Sequence, residues 1–105
     1  MVVGVLRMRL YMRGNRSLKD KRQVLLKIKD KISHHYNVSI AEVAENDEWK
    51  SAVLGITTVG NDSAFVQSVL DKVTRTIEGL YLAETLAKDT KVQPYSDDDF
   101  IRDQP

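Results

Sequence analysis

The apolar residues of this chain repeat first with period two and then with the period of a helix, which limits the available folds. Within residues 3–13 one side of the alternation is apolar and consists of Gly4, Leu6, Met8, Leu10 and Met12. The other side consists of Val3, Val5, Arg7, Arg9, Tyr11 and Arg13. Alternation of this kind predicts a half-buried strand, with one face on a core and one face open.

A helix is predicted directly after this strand. Ser17 is the expected N-cap, and Asp20 follows three residues later as in a capping box. The helix should run to about His35, with Asn37 as a plausible terminator. At 100° per residue its apolar stripe consists of Leu18, Val24, Leu25, Ile28, Ile32 and Tyr36.

The rest of the chain repeats this succession with one additional strand. Residues 38–44 and 52–59 are rich in β-branched and small apolar residues and predict two strands, joined by the polar residues 45–48. A second helix, with a cleaner apolar stripe, is predicted over residues 63–80. A weak last strand is expected between Tyr81 and Val92, where the alternation is poor.

The order of elements is therefore β-α-β-β-α-β, which is typical of the ferredoxin-like fold. Two helices with one apolar stripe each cover one face of a four-stranded antiparallel sheet. We predict this α+β sandwich, with the first strand in a central position. Its other face is left open and carries Arg7, Arg9 and Tyr11.

The length and composition bound the domain organisation. With 105 residues, 42% of them hydrophobic, the chain can form one domain with one modest core. We predict a domain over residues 1–93 and an acidic, flexible tail over residues 94–105. The apolar runs are too short for a transmembrane helix, and arginines interrupt the segment where a signal peptide is apolar. We therefore expect a cytoplasmic protein without membrane contact.

The charges are divided unequally along the chain. Residues 1–31 carry ten Lys and Arg against Asp20 and Asp30, a net charge of +8. Residues 32–105 carry six Lys and Arg against thirteen Asp and Glu, a net charge of −7. The positive half is concentrated in the first strand, the following loop and the first helix. A surface of this kind is typical of contact with phosphate groups.

The start of the first helix is the densest candidate site. Cations in a first helical turn oppose the positive end of the helix dipole, which costs about 0.3–1 kcal/mol each, whereas a bound anion would reverse that penalty. Lys21 also points near the centre of the apolar stripe. The alternative is a solvated basic face from which Lys21 snorkels. The predicted phosphate contacts are Arg13, Arg16, Lys19, Lys21 and Arg22, supported by Lys27, Lys29, Arg7 and Arg9.

Other candidates are weaker. Arg7 and Arg9 could instead solubilise the open sheet face or face a partner subunit. Trp49 could stack on a base or dock a partner, or it could fold back over a sheet edge. His34 and His35 point about 100° apart on a helix and are therefore poor metal ligands. The three aspartates at 97–99 lack the spacing of a cation-binding loop.

Catalysis has no sequence support. The chain has no cysteine, which excludes disulfides, thiolate metal sites and a cysteine nucleophile. It also lacks a G-x-S-x-G motif, a Walker loop and a G-x-G-x-x-G motif. Acylphosphatases share the element order and hold phosphate where Arg16 sits, but their motif residues are missing, so this is a fold-level analogy. We expect no enzyme, no cofactor and no metal.

Two stretches resemble a known family. The helix start S-L-K-x-K-R and the hairpin V-S-x-A-E-V…W…A-V-L-G closely resemble the YlxP-like family of small bacterial proteins, over roughly residues 1–80. Ser17, Leu18, Lys19, Lys21, Arg22, Glu42 and Trp49 match these motifs. The resemblance implies a ferredoxin-like fold and an intracellular protein, often encoded among translation and ribosome-maturation factors. It implies no catalytic residues, and beyond Glu84 it implies nothing.

These observations lead to two functional hypotheses. The first is a non-enzymatic binding domain that associates with RNA or a ribosomal subunit through its basic strand-loop-helix surface. The second is a homodimeric structural or protein-interaction module, in which two chains cover each other's open sheet faces through Val3, Val5, Val53 and Thr57. The two can coexist if the basic helix surface stays free.

Overall fold

The computed structural model describes residues 1–102 of the chain and shows the predicted α+β architecture. Four strands form one antiparallel sheet in the order β2-β3-β1-β4. Two long helices and a short C-terminal helix complete it. The elements are β1 (Val2–Tyr11), α1 (Leu18–His35), β2 (Ser39–Ala44), β3 (Ser51–Gly60), α2 (Ser63–Gly79), β4 (Glu84–Pro94) and α3 (Asp98–Arg102).

Strand β1 lies between β3 and β4, as the topology predicted. Its even-numbered residues point to the helices, and Leu6, Met8 and Leu10 are fully buried there. The odd-numbered residues Arg7 and Arg9 are exposed on the other face. Because successive side chains of a strand point to opposite faces, the alternation in the sequence determined this placement.

The Ser17 N-cap at the start of α1 is confirmed. The Ser17 hydroxyl accepts a hydrogen bond from the Asp20 amide at 3.1 Å, which satisfies one amide that a helix start leaves without a partner. The reciprocal bond of a capping box is shifted by one residue, because the Asp20 carboxylate accepts from the Arg16 amide at 2.8 Å and not from that of Ser17. Together the two bonds fix the direction in which the basic loop, residues 12–17, enters the helix.

The core lies between the sheet and the helices. Leu25, Ile28 and Ile32 of α1 pack into it together with Leu70 and Val73 of α2. Helix α2 approaches β1 closely at Gly4, since a Cβ there would lie 2.5 Å from Val66 Cγ1. Helices α1 and α2 therefore pack on the same face of the sheet.

The C-terminal segment starts at the sheet. Strand β4 ends at Pro94, after which the Tyr95 amide donates to the Met1 carbonyl at 2.7 Å. The Met1 amino group donates to the Tyr95 carbonyl and also pairs with the Asp97 carboxylate. The predicted tail thus includes the short helix α3 within residues 94–102, while residues 103–105 lie outside the described part. Its flexibility stays a prediction.

Candidate nucleic-acid interface

Lys21 is buried, and its ammonium group faces the loop between β2 and β3. Only 1% of the residue is exposed. Lys21 Nζ donates to the carbonyl oxygens of Glu45 at 2.9 Å, Asn46 at 3.1 Å and Ser51 at 3.3 Å. Glu42 Oε2 lies 2.8 Å from Nζ without hydrogen-bond geometry, so that contact is an attraction between charges. An ammonium has three protons to donate, and these carbonyls take all of them.

The position of Lys21 therefore differs from that of a phosphate contact. Its charge is compensated inside the protein, and no proton of its ammonium is left for an external anion. Snorkelling to solvent is also ruled out, because the side chain ends among backbone carbonyls under the loop. Lys21 is instead a tie between α1 and the loop between β2 and β3, on which the shape of the candidate surface depends.

A signal for this tie was present in the sequence. Lys21 lies on the apolar stripe of α1, and Glu42 lies on the inward side of β2, opposite Leu54. Each is a charge on the wrong face of its element, and two such charges of opposite sign are expected to meet. The sequence did not single out Asn15 as a site residue, because an asparagine in a polar turn is ordinary.

The arginines of β1 are engaged by carboxylates. Arg7 pairs with Asp89 at 2.9 Å and Arg9 with Glu45 at 2.7 Å. Hydrogen bonds from Ser51 and Arg9 hold the pKa of the Glu45 carboxyl below its ordinary value, so the pair with Arg9 is ionised at neutral pH. Exposed pairs of this type contribute little stability, but they neutralise the two arginines of the open sheet face.

Arg13 follows the same trend more weakly. Its guanidinium lies 3.4 Å from Glu84 and 5.7 Å from the centre of the Tyr11 ring. The side chain is 76% exposed, so a phosphate could displace the carboxylate. Arg13 therefore lies at the border between the paired arginines of the sheet face and the basic start of α1.

The other predicted cations remain open to solvent. Arg16, Lys19 and Arg22 are exposed, and Lys29 is half-buried. In the part of the chain that the structure describes, none of these four side chains makes an ion pair. We call these four residues the basic helix surface. Lys27 and Lys31 are exposed on the other flank of the same helix.

Asn15 joins the loop before α1 to the loop between β2 and β3, which carries Trp49. Its side-chain amide is buried and donates to the Trp49 carbonyl at 3.0 Å. The Met12 amide donates to the Lys50 carbonyl at 2.6 Å beside it. Trp49 itself is 54% exposed, so its ring does not fold back into the core. An exposed aromatic ring is thus held next to the residues that precede α1.

The remaining candidates do not form a site within residues 1–102. His34 and His35 each bond through Nδ1 to a carbonyl one turn earlier, those of Asp30 and Lys31. Over this range no three His, Cys, Asp or Glu side chains are grouped to hold a metal ion. Asp97 lies by the amino terminus, at the opposite end of β1 from the basic loop.

Comparison with known proteins supports the resemblance. A family model described as "Protein of unknown function (DUF503)" matches residues 3–90, which include β1, α1, both hairpin strands and α2. The chain belongs to the DUF503 family. The uncharacterised protein YlxP of Bacillus subtilis (strain 168) is 35% identical over 57 residues. That match covers 54% of this chain and 62% of YlxP, which is less than two thirds of the relative.

A solved structure supports the fold alone. The de novo designed protein Foldit4 superposes with a TM-score of 0.51 and 14% identity, over 90% of this chain and 98% of the other. At that identity the similarity extends to the arrangement of helices and strands and not to any site. Among residues 1–102, no helix of this DUF503 member is both long and apolar enough to cross a membrane.

Proposed function

We propose that this DUF503 protein is a non-enzymatic domain that binds single-stranded RNA, as part of an association with a ribosomal subunit. The contact would use the basic helix surface and Trp49. The observation that carries the proposal is the group of exposed cations Arg16, Lys19 and Arg22, which make no ion pair in residues 1–102, beside an exposed aromatic ring. Its chemistry fits phosphate groups and an unstacked base.

The electrostatic part follows from the pairing pattern. The arginines of the sheet have internal carboxylate partners, whereas the basic helix surface has none among the described residues. Asp20 is the acidic residue nearest in sequence, and its carboxylate is held by the Arg16 amide at 2.8 Å. A phosphate at this surface would therefore compensate charges that the protein leaves uncompensated.

The aromatic part follows from the two loops. Stacking on an aromatic ring contributes about 1–3 kcal/mol per base and is tolerant of sequence. Because the Asn15 bond fixes the Trp49 backbone beside the basic loop, one nucleotide can place its base on the ring and an adjacent phosphate among the cations. A paired duplex cannot offer its bases in this way. We therefore expect preference for single strands over duplex RNA.

The experiment is an anisotropy titration of labelled single-stranded RNA at several salt concentrations. For single strands the slope of log K against log salt is about −0.7 per phosphate contact, so four contacts give about −2.8. Lys19→Glu/Arg22→Glu should reduce the slope to about −1.4 and weaken binding. An acidic residue at position 19, in the first turn of α1, favours the helix, and Arg22 is exposed, so the double variant is expected to keep its fold.

The matched control is Lys72→Glu/Arg75→Glu, which makes the same change of net charge on exposed positions of α2. It should leave the slope near the wild-type value. Equal loss in both double variants would mean that only total charge matters and would overturn the assigned surface. Absence of binding at low salt would overturn the RNA function itself.

Trp49 provides a second, independent readout. It is the single tryptophan of the chain, so its fluorescence reports this loop alone. Single-stranded RNA should quench the emission, and Trp49→Ala should weaken binding by about 1–3 kcal/mol without changing the salt slope. Quenching by duplex and single strand to the same extent would contradict stacking.

A further inference from the structure

We infer that the open sheet face binds a second copy of this chain face to face, which gives a twofold-symmetric homodimer with both basic helix surfaces directed outward. The inference concerns the face opposite the helices and does not depend on RNA binding. It rests on three properties of that face: its exposed apolar side chains, the internal pairing of its central arginines and its area.

Exposed apolar side chains lie on the open face around Arg7 and Arg9. Val5 is 41% exposed, Val43 55% and Val59 63%, while Val3 and Val53 are half-buried. Val3 pairs with Val59 across β1 and β3, so the two form one apolar row. Contiguous exposed apolar side chains on a regular element indicate an interaction surface, whereas single ones are ordinary.

Small residues lie between the valines of this face. Gly55 has room for no side chain, since a Cβ would lie 2.8 Å from Val43 Cγ1. Ala41 pairs with Gly55, and Ala87 with Arg9, on this same face. These small residues leave room for the arginine side chains to lie along the sheet, so two such faces can approach to the roughly 10 Å that separates packed sheets.

The two arginines at the centre of this face are already compensated. Arg7 is paired with Asp89 and Arg9 with Glu45, at 2.9 Å and 2.7 Å. Lys91 lies opposite Val5 and is exposed without an ion pair in residues 1–102. Because β4 is an edge strand, this ammonium would lie at the rim of an interface. A partner surface that covers the two pairs therefore buries no unpaired guanidinium. Nucleic acid would meet a carboxylate beside each of these guanidinium groups. A second copy brings the same apolar side chains and the same compensated pairs.

The area fits a modest dimer. A ten-residue strand is about 33 Å long, and four strands at about 4.8 Å spacing span about 14–19 Å. Each copy would thus cover about 500–600 Å², or roughly 1,000–1,200 Å² in total, at the lower limit of specific interfaces. The open sheet face of a second copy has the same length and width. The described part of the C-terminal segment does not cover the face, since Val5 remains exposed.

The geometry of the dimer connects the two surfaces of the molecule. The helices lie on the face opposite the proposed interface, so Arg16, Lys19 and Arg22 of each copy remain exposed. The assembly would present two basic helix surfaces that point away from each other. An RNA that reaches both would bind more tightly than one that reaches a single site.

The first test is sedimentation equilibrium of the full chain from micromolar to millimolar concentration. We expect a monomer–dimer equilibrium that Val5→Lys abolishes, because an unpaired ammonium would be buried in the interface. The matched control is Leu26→Lys, an equal change at a 57% exposed position on α1. A wild-type monomer throughout, or equal association of the two variants, would overturn the inference.

The second test uses the absence of cysteine in the chain. Val5 is near the middle of a central strand, so Val5→Cys should be linked to its symmetry mate by a bismaleimide of about 10 Å reach, the spacing of packed sheets. Leu26→Cys, on the opposite side, should remain unlinked at the same concentration. Equal linkage of both variants would overturn the face-to-face arrangement. RNA titrations of Val5→Lys measure RNA binding apart from dimerisation. Failure of the dimer can therefore be told from failure of RNA binding.

Discussion

Replacement of Lys21 by methionine tests whether this lysine holds the loop between β2 and β3. Methionine keeps a similar apolar stem but removes the ammonium. The carbonyls of Glu45, Asn46 and Ser51 then lose their donor, and Glu42 loses its counter-charge. Since Lys21 is 1% exposed, water has little access to replace it.

The expected magnitude follows from these contacts. Removal of one partner from a buried ion pair costs about 3–5 kcal/mol, because the remaining charge stays buried without compensation. For 105 residues, the entropy of unfolding is about 0.22 kcal/mol per degree. We therefore expect Tm to fall by about 14–23 °C. Small domains have only about 5–15 kcal/mol of stability, so the variant would be close to unfolding.

The assay is urea unfolding followed by circular dichroism, with two comparison variants. Lys19→Met changes an exposed lysine two residues earlier on the same helix and should stay within about 0.5 kcal/mol of wild type. Lys21→Met/Glu42→Leu removes both charges and should recover part of the loss, since the uncompensated carboxylate is gone. A loss in Lys21→Met as small as that in Lys19→Met would refute the reasoning.

Trp49 reports the same change locally. If Lys21 holds the loop, its removal should increase quenching of Trp49 by acrylamide in the folded variant, before global unfolding. Lys19→Met should leave this quenching unchanged. Loss of stability without any change at Trp49 would show that Lys21 stabilises the core and not the loop.

Three further predictions concern other positions. Tyr81 has a φ of 54° and is 90% exposed, so Tyr81→Gly should stabilise by about 0.5–1 kcal/mol in thermal unfolding. Gly4→Ala should destabilise by about 1–3 kcal/mol in urea unfolding, because its Cβ would lie 2.5 Å from Val66 and 2.7 Å from Leu70. The lowered pKa of Glu45 means that its ionised form stabilises the fold above its ordinary value of 4.5. This contribution is lost as pH falls through the lowered pKa, so the difference in Tm between wild type and Glu45→Gln should shrink below about pH 4.5.

Each of these has a contradicting result. An unchanged or lower stability of Tyr81→Gly would show that the tyrosine makes a contact worth more than its backbone strain. A neutral Gly4→Ala would show that α2 can shift from the sheet at no cost. A pH-independent difference for Glu45→Gln would show that the charge of this carboxyl is irrelevant to folding.

The distribution of charge illustrates how much of the site the sequence could predict. The net charges of +8 and −7 in the two parts of the chain are a fact of chain order. In space, β1 lies beside β4 and near the end of β2, which brings Asp89, Glu84 and Glu45 to the arginines. Four of the nine predicted phosphate contacts, these three arginines and Lys21, therefore have partners from the acidic part. No local pattern predicts the partners of the arginines, because they are 36 to 82 residues away.

The sequence by itself determined the six elements of the sandwich, their order and their faces, but not the short helix α3. Periods of two and 3.6 residues decide which side chains can be buried together, and the Ser17 cap needs only its neighbours in the chain. It also indicated that Lys21 was out of place on an apolar stripe.

Only the tertiary structure decided what Lys21 and the β1 arginines do. Whether a charge is free depends on what lies across from it, and sheet pairing and loop packing bring together residues that are distant in the chain. Burial under the loop converts Lys21 into an internal tie, and strand pairing and the end of β2 bring carboxylates to the β1 arginines of the open face. The same packing leaves Arg16, Lys19 and Arg22 in water, which is why the candidate surface is smaller than the basic segment that predicted it.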